Sequence, residues 1–333
     1  TTIDLYFAGS NKLVNTNNYA DWSDFRSIYF NSGAGQFVLW GSSVDFFDGK
    51  IENNSSNLQT LKLNNFSFNN GSQEFNPVSG NLLIDDVGGS NGNIYNNGIY
   101  MDVYGNNGNT LTLKMKMQGG GGIAVYQNSI VDIAGAQTYT GDTIVNAGSI
   151  RINESGSLGA TIVRVGDTTG SAAAGYYISD SNGGTTEDAT VVIRGGSSGT
   201  LTLGGTNTSG DNTISGAISL DNNVTLSASS GGRIIFSGAI TDGLAAGNYG
   251  AAINAAGTVQ LAGSSANSGQ SSWSVQAGTL ELNKTAGIDS INSAGITVNS
   301  GGTLKNLTAN QINDSGSVTI NGTWNLNNQN ETV

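Results

Sequence analysis

The stretch AGAQTYTGDTIVNAGSIRINESGSLG, residues 134–159, decides how the rest of the chain is read. It is dense in Gly, Ser, Thr and Asn, and its aliphatic residues come in pairs, Ile144-Val145 and Ile150-x-Ile152. Glycines and Asn146 punctuate those pairs, the pattern of short strands joined by tight corners. One such unit has too few apolar side chains to bury a core of its own. Its interior must be completed by neighbouring units.

The block that ends this stretch recurs along the chain. It reads GSIRIN at 148–153, GTLTLG at 199–204, GTVQLA at 257–262, GTLELN at 278–283, GTLKNL at 302–307 and GTWNLN at 322–327, with a looser copy, GRIIFS, at 232–237. The leading glycines at 232, 257, 278, 302 and 322 are 25, 21, 24 and 20 residues apart. A repeat of roughly 20 to 25 residues suits one coil of a solenoid, in which each coil contacts only its neighbours. Within a block, Gly is expected at a corner that needs φ > 0. Two apolar residues flanking one polar residue then share a face. Ile150/Ile152, Leu280/Leu282 and Trp324/Leu326 are expected to point inward, and Arg151, Glu281 and Asn325 outward. The closing Asn153, Asn283 and Asn327 are expected at the next corners, where Asn tolerates the left-handed conformation and could stack as a ladder.

The expected fold is therefore all-β, a β-solenoid forming a single elongated rod. Strands stack at about 4.8 Å, so some fifteen coils would span on the order of 70 Å. Aromatic residues divide unevenly, 17 of 25 falling in residues 1–118. The run GGGG at 119–122 marks the change. The reading is an aromatic-richer segment, 1–118, continuous with Gly/Ser/Thr/Asn-rich repeats over 119–333. Strand blocks such as LKLNNFSFNN (61–70), GIYMDVYG (98–105) and NTLTLKMKM (109–117) precede the glycines. Four glycines are too few for a free linker and read instead as a corner or bulge.

Composition narrows the chemistry. The 333 residues include no Cys, no His and one Pro (Pro77), with a formal net charge of −12. No disulfide, thiolate nucleophile, histidine-based triad or Cys/His metal site is possible. Twelve thinly spread Lys and Arg argue against nucleic acid and anionic membranes as partners. No stretch reaches the roughly 20 apolar residues of a membrane span. The chain begins at Thr1 without a basic or apolar leader, so the expectation is a removed signal segment or a defined fragment. Cys-free, Thr/Ser/Asn-rich composition suits an extracellular or bacterial cell-surface setting.

Residues 134–159 resemble the passenger-associated strand repeat of bacterial autotransporters. Thr138-Tyr139-Thr140-Gly141 hold the positions of its turn and Val145-x-Ala147-Gly148-Ser149-Ile150 those of its core, with Asp142 replacing the second turn glycine. AGSSANSGQSSWSVQAGTLELN (262–283) keeps the Val-x-Ala-Gly-Thr-Leu core without the turn. Residues 26–64 resemble the segment that often precedes such repeats. The resemblance implies a right-handed parallel β-helix outside the cell and leaves activity open, since passengers include adhesins, matrix proteins and enzymes. The translocator barrel of that family has no counterpart before Val333.

Adjacent carboxylates occur at Asp85-Asp86 and Glu187-Asp188, and could hold Ca²⁺ or act on a glycan. On a strand the members of each pair face opposite sides. The basic residue nearest in sequence to either pair is Arg194. GGSNGNIYNNG (88–98) is similar to a calcium-binding nonapeptide but lacks its aspartate, and reads as a turn. Trp22, Trp40 and Phe46-Phe47 could form a sugar-stacking platform, although period-two spacing favours the core. No catalytic, cofactor-binding or metal-ligating residue is assigned, and no cofactor is expected. The terminal segments TTIDLYFAG and GSVTINGTWNLN (316–327) both read as strands with open edges. The function expected is a non-enzymatic extracellular structural protein, self-associating end to end into a fibre, filament or matrix layer. An adhesin passenger or stalk that meets surface glycans, and a glycan-degrading β-helix enzyme, are the alternatives.

Overall fold

A computed structural model describes residues 3–88, 92–106, 108–243, 249–269 and 271–333. The fold is all-β, with parallel strands stacked in about 14 turns, a β-solenoid. The chain forms two compact units, Thr1–Ile162 and Val163–Val333. Each turn runs along three faces in succession.

In the first unit, the first face stacks Val14–Asn17, Val38–Gly41, Gln59–Leu63, Leu82–Asp85, Thr110–Leu113, Ile130–Ile133 and Gly148–Ile152. Its inward residues fall in one column, Leu39, Leu61, Ile84, Leu113, Ile133 and Ile152, each in register with the next. All but Leu39 are almost fully buried. The second face carries the aromatic column Phe25, Phe46 and Phe68, and the third carries Ile28, Ile51, Phe75, Val103, Val125 and Val145. Burying each such side chain contributes roughly 1.5–3 kcal/mol, and the neighbouring turns supply the apolar surface. Of the pair Ile144-Val145, only Val145 points inward. Tyr139, read as part of a turn, belongs to the two-residue strand Thr138–Tyr139 and is fully buried, its Oη 2.6 Å from Thr143 Oγ1.

The four glycines at 119–122 form the corner between Lys116–Gly119 and Ile123–Tyr126 within one turn. They lie inside the first unit rather than between units.

In the second unit, the Gly-led blocks at 232, 257, 278, 302 and 322 lie on one face and stack in the register their alignment implies. Arg233, Thr258, Thr279, Thr303 and Thr323 are successive partners, as are Ile234, Val259, Leu280, Leu304 and Trp324. GTLTLG at 199–204 lies on a different face, in Leu201–Gly205. A second inward column runs Leu203, Leu226, Ile253, Val275, Val298 and Ile320.

Three expectations are corrected. Of the leading glycines, Gly148 (85°) and Gly278 (77°) have the expected positive φ, and Gly199, Gly232, Gly257, Gly302 and Gly322 do not. The glycines are required mainly because the backbones of adjacent turns meet there: a Cβ on Gly257 would collide with Ser229 O, and one on Gly302 would lie 2.5 Å from Val275 O. The asparagine ladder does not form. Asn283 sits within Ser272–Lys284 opposite Ala262, and Asn327 is an exposed left-handed residue. Buried amides instead grip corners: Asn96 donates to Gly121 O and accepts from Gly121 N, both at 2.9 Å. Finally, Trp324 is half-buried and Leu326 is 41% exposed, and among the described residues no strand stacks on the far side of Thr323–Asn325.

Candidate functional site

The first turn of the first unit and the last turn of the second differ chemically from the rest. Among the described residues, Ile3–Phe7 pairs only with Ser23–Phe30, and Val14–Asn17 only with Val38–Gly41. Their other sides are open rows of backbone donors and acceptors. Inward residues of the first turns, including Phe7, Phe25, Ile28 and Leu39, line an apolar cavity of about 220 Å³ with Tyr19 at its wall. Tyr6 stacks on Tyr29 (4.8 Å between centroids, 11° between planes), and an Arg26–Asp4 ion pair ties the same two strands.

At the other edge, Val318–Ile320 and Thr323–Asn325 pair only with Ile296–Asn306 among the described residues. The third face is closed differently. Glu331 accepts from Gln311 N (2.9 Å), Ile312 N (3.0 Å) and Asn306 Nδ2 (2.6 Å), so a carboxylate replaces the carbonyls of a further turn. Nine large apolar side chains stay exposed among the described residues. Five (Ile3, Tyr6, Val14, Tyr19, Trp22) belong to the first turn, three (Ile320, Leu326, Val333) to the last, and Ile162 is the other.

Stacking brings together residues that sequence proximity does not. Asp85 lies 3.4 Å from Lys62 and 3.9 Å from Lys114, one turn to either side, so its charge is neutralised across turns. Asp86 instead accepts from Gly88 N (2.9 Å) in a turn. Glu187 is buried and Asp188 exposed, the split that strand alternation requires. Arg194 follows Thr190–Ile193, the next face of that turn. Residues 89–91 of the 88–98 segment lie outside the described residues; Asn93–Tyr95 is a strand.

The four aromatics weighed as a sugar platform are not brought together. Trp40 faces outward beneath Lys62 Nζ, 5.2 Å from its ring centroid. Phe46 is core, stacked on Phe66, and Trp22 meets Tyr95 edge-on at 6.0 Å. Carboxylates that do share a face are Asp24 and Asp45, and Glu74 and Asp102, each pair in register. Burial pushes Asp102 above the usual carboxylate range, and Glu74 adds to the effect. Arg151 faces outward as expected, in register with Asp132, whose carboxyl is also raised by burial.

Two groups in the second unit depart from the expected pattern. Glu281 lies on the outward side but is buried under its partners: Arg233 Nη1 at 3.3 Å, Lys305 Nζ at 3.1 Å and Gln260 Nε2 at 2.9 Å. Arg233 also binds Asp211 through Nε (2.8 Å), so the network spans five turns. Lys284 is fully buried, and its Nζ donates to Ala262 O (2.9 Å) and Gly238 O (3.4 Å). Burial lowers its pKa to about 8. Nothing in the repeat alignment marks Lys284, which falls one residue beyond its block.

Among the described residues, no group of three or more acidic side chains is placed to hold a metal ion, and no helix is long and apolar enough to cross a membrane. Comparisons with protein-family models, curated proteins and solved structures each return no match.

Proposed function

We propose that this chain is a non-enzymatic extracellular structural protein whose last turn pairs with the first turn of a second copy, building a fibre or surface layer. The supporting observation is that, among the described residues, eight of nine exposed large apolar side chains belong to the first turn of the first unit or the last turn of the second. Exposed apolar surface of this kind marks an interaction site rather than a solvated wall. Pairing would continue the parallel ladders of Val318–Ile320 and Thr323–Asn325 onto Val14–Asn17 and residues 23–25, and cover the 220 Å³ cavity. The two edges are different surfaces, so the contact is heterologous and does not close. The cross-turn neutralisation of Asp85 and Glu281 supports a structural role for those carboxylates. The Cys-free composition and the autotransporter-like residues 134–159 support the extracellular setting.

Sedimentation velocity and negative-stain microscopy test the reading with Tyr19→Lys at one edge and Ile320→Lys at the other. Each places an ammonium where apolar contact is required, at a desolvation cost that weakens pairing by about tenfold or more. The wild type is expected to show concentration-dependent filaments and each variant none. A mixture of the two variants retains one compatible pair of edges and is expected to give discrete dimers. Wild type that stays monomeric at every concentration, or variants that polymerise normally, would contradict the proposal.

A further inference from the structure

The second unit carries a cleft of about 450 Å³ that belongs to neither edge. It crosses four turns, and its walls are hydroxyls, amides and small side chains, among them Thr200, Asn223, Thr225, Ala252 and Ser274. Among the described residues, not one charged side chain lines it, in a chain of formal net charge −12. Thr225, Ala252 and Ser274 are register partners, so their side chains recur at the spacing of stacked strands, about 4.8 Å.

One turn before Thr200 lies Tyr177, on the strand Ala174–Ile178. Its ring lies over Gly175: a Cβ there would be 2.8 Å from both Cζ and Oη. Gly175 is the register partner of Thr202, and Thr202 of Thr225, so the ring heads the outward column that continues into the cleft as Thr225, Ala252 and Ser274. Tyr177 is half-buried, its ring resting on glycine. This differs from Tyr104 and Tyr126, whose rings stack on each other 4.6 Å apart and cover each other's faces.

We propose that this cleft binds a neutral polysaccharide chain running along the stacking direction, with a sugar ring on Tyr177 and its hydroxyls against Thr225 and Ser274. An aromatic face suits the apolar side of a pyranose ring. Hydroxyl and amide groups suit its rim. An uncharged wall offers an acidic polymer or a nucleic acid no cation to pair with.

Affinity electrophoresis through native gels containing hydroxyethylcellulose, galactomannan or dextran, with polygalacturonate as the acidic comparison, tests this. At least one neutral polymer is expected to retard the wild type and Tyr177→Phe, which keeps the ring. Tyr177→Ala and Ala252→Gln, which fills the cleft without changing charge, are each expected to weaken retardation by about tenfold. Thermal melts of all four proteins confirm folding. Retardation by none of the neutral polymers, retardation unchanged in both weakening variants, or retardation by polygalacturonate alone would overturn the proposal.

Discussion

Replacing Gly121 by alanine is expected to destabilise the first unit by about 3 kcal/mol, the upper end of what overpacking costs, whereas alanine at Gly120 is expected to change little. The two residues are adjacent in a run of four glycines, yet their surroundings differ. A Cβ on Gly121 would strike the backbone of Ile99, which cannot move without separating two turns. Asn96 also holds both the N–H and the C=O of Gly121, so the corner has no freedom to shift aside. Gly120 is exposed, and its nearest neighbour to such a Cβ is 3.9 Å away. Urea denaturation followed by circular dichroism measures the difference. Equal midpoints for the two variants would mean that the corner is looser than described.

Lys284→Met is expected to stabilise the protein near pH 7 by about 2 kcal/mol. The ordinary lysine value of 10.5 falls to about 8 in the fold, and each unit is worth about 1.4 kcal/mol, so charging this buried amine costs about 3 kcal/mol. Losing its bonds to Ala262 O and Gly238 O returns about 1 kcal/mol of that. The sign follows from proton binding. Between pH 8 and 10.5 the unfolded lysine holds a proton that the folded one has released, so wild-type stability rises with pH across that window. Below pH 8 both states are protonated and the full cost is present. The advantage of Lys284→Met should therefore shrink from pH 8 upward and vanish or reverse by about pH 10.5. Unfolding free energies of the two proteins across pH 7–10.5 check this, and parallel profiles would contradict it.

How much the sequence disclosed depended on whether one constraint repeated. On the Gly-led face of the second unit, backbone contact between turns demands glycine each time, so Gly232, Gly257, Gly278, Gly302 and Gly322 mark the register directly. In the first unit the step between turns varies, from 19 residues (Asp132 to Arg151) to 29 (Leu83 to Thr112). Alternation there reveals strands but not which strand stacks on which. The partners of Asp85 were hidden for that reason: Lys62 and Lys114 are remote in sequence and adjacent only once the register is known. Glu281 follows the outward rule of its strand, and its burial comes from Arg233 and Lys305 closing over it. The ring direction of Tyr177 likewise depends on Gly175 offering a flat place to lie, a relation within one strand that period-two counting treats as two separate outward positions.

The central claim is that successive turns are parallel and in register, each finishing the core of the next. Because the chain contains no cysteine, engineered pairs can test this without background. Thr258, Thr279 and Thr303 are consecutive partners on the outward side of one face. Adjacent strands place Cα atoms about 4.8 Å apart, within disulfide range, and strands two turns apart place them at about twice that, beyond it. Under mild oxidation Thr258→Cys/Thr279→Cys should cross-link within the monomer and Thr258→Cys/Thr303→Cys should remain reduced. The reverse outcome, a bond in the second pair and none in the first, would contradict the stacked-turn account.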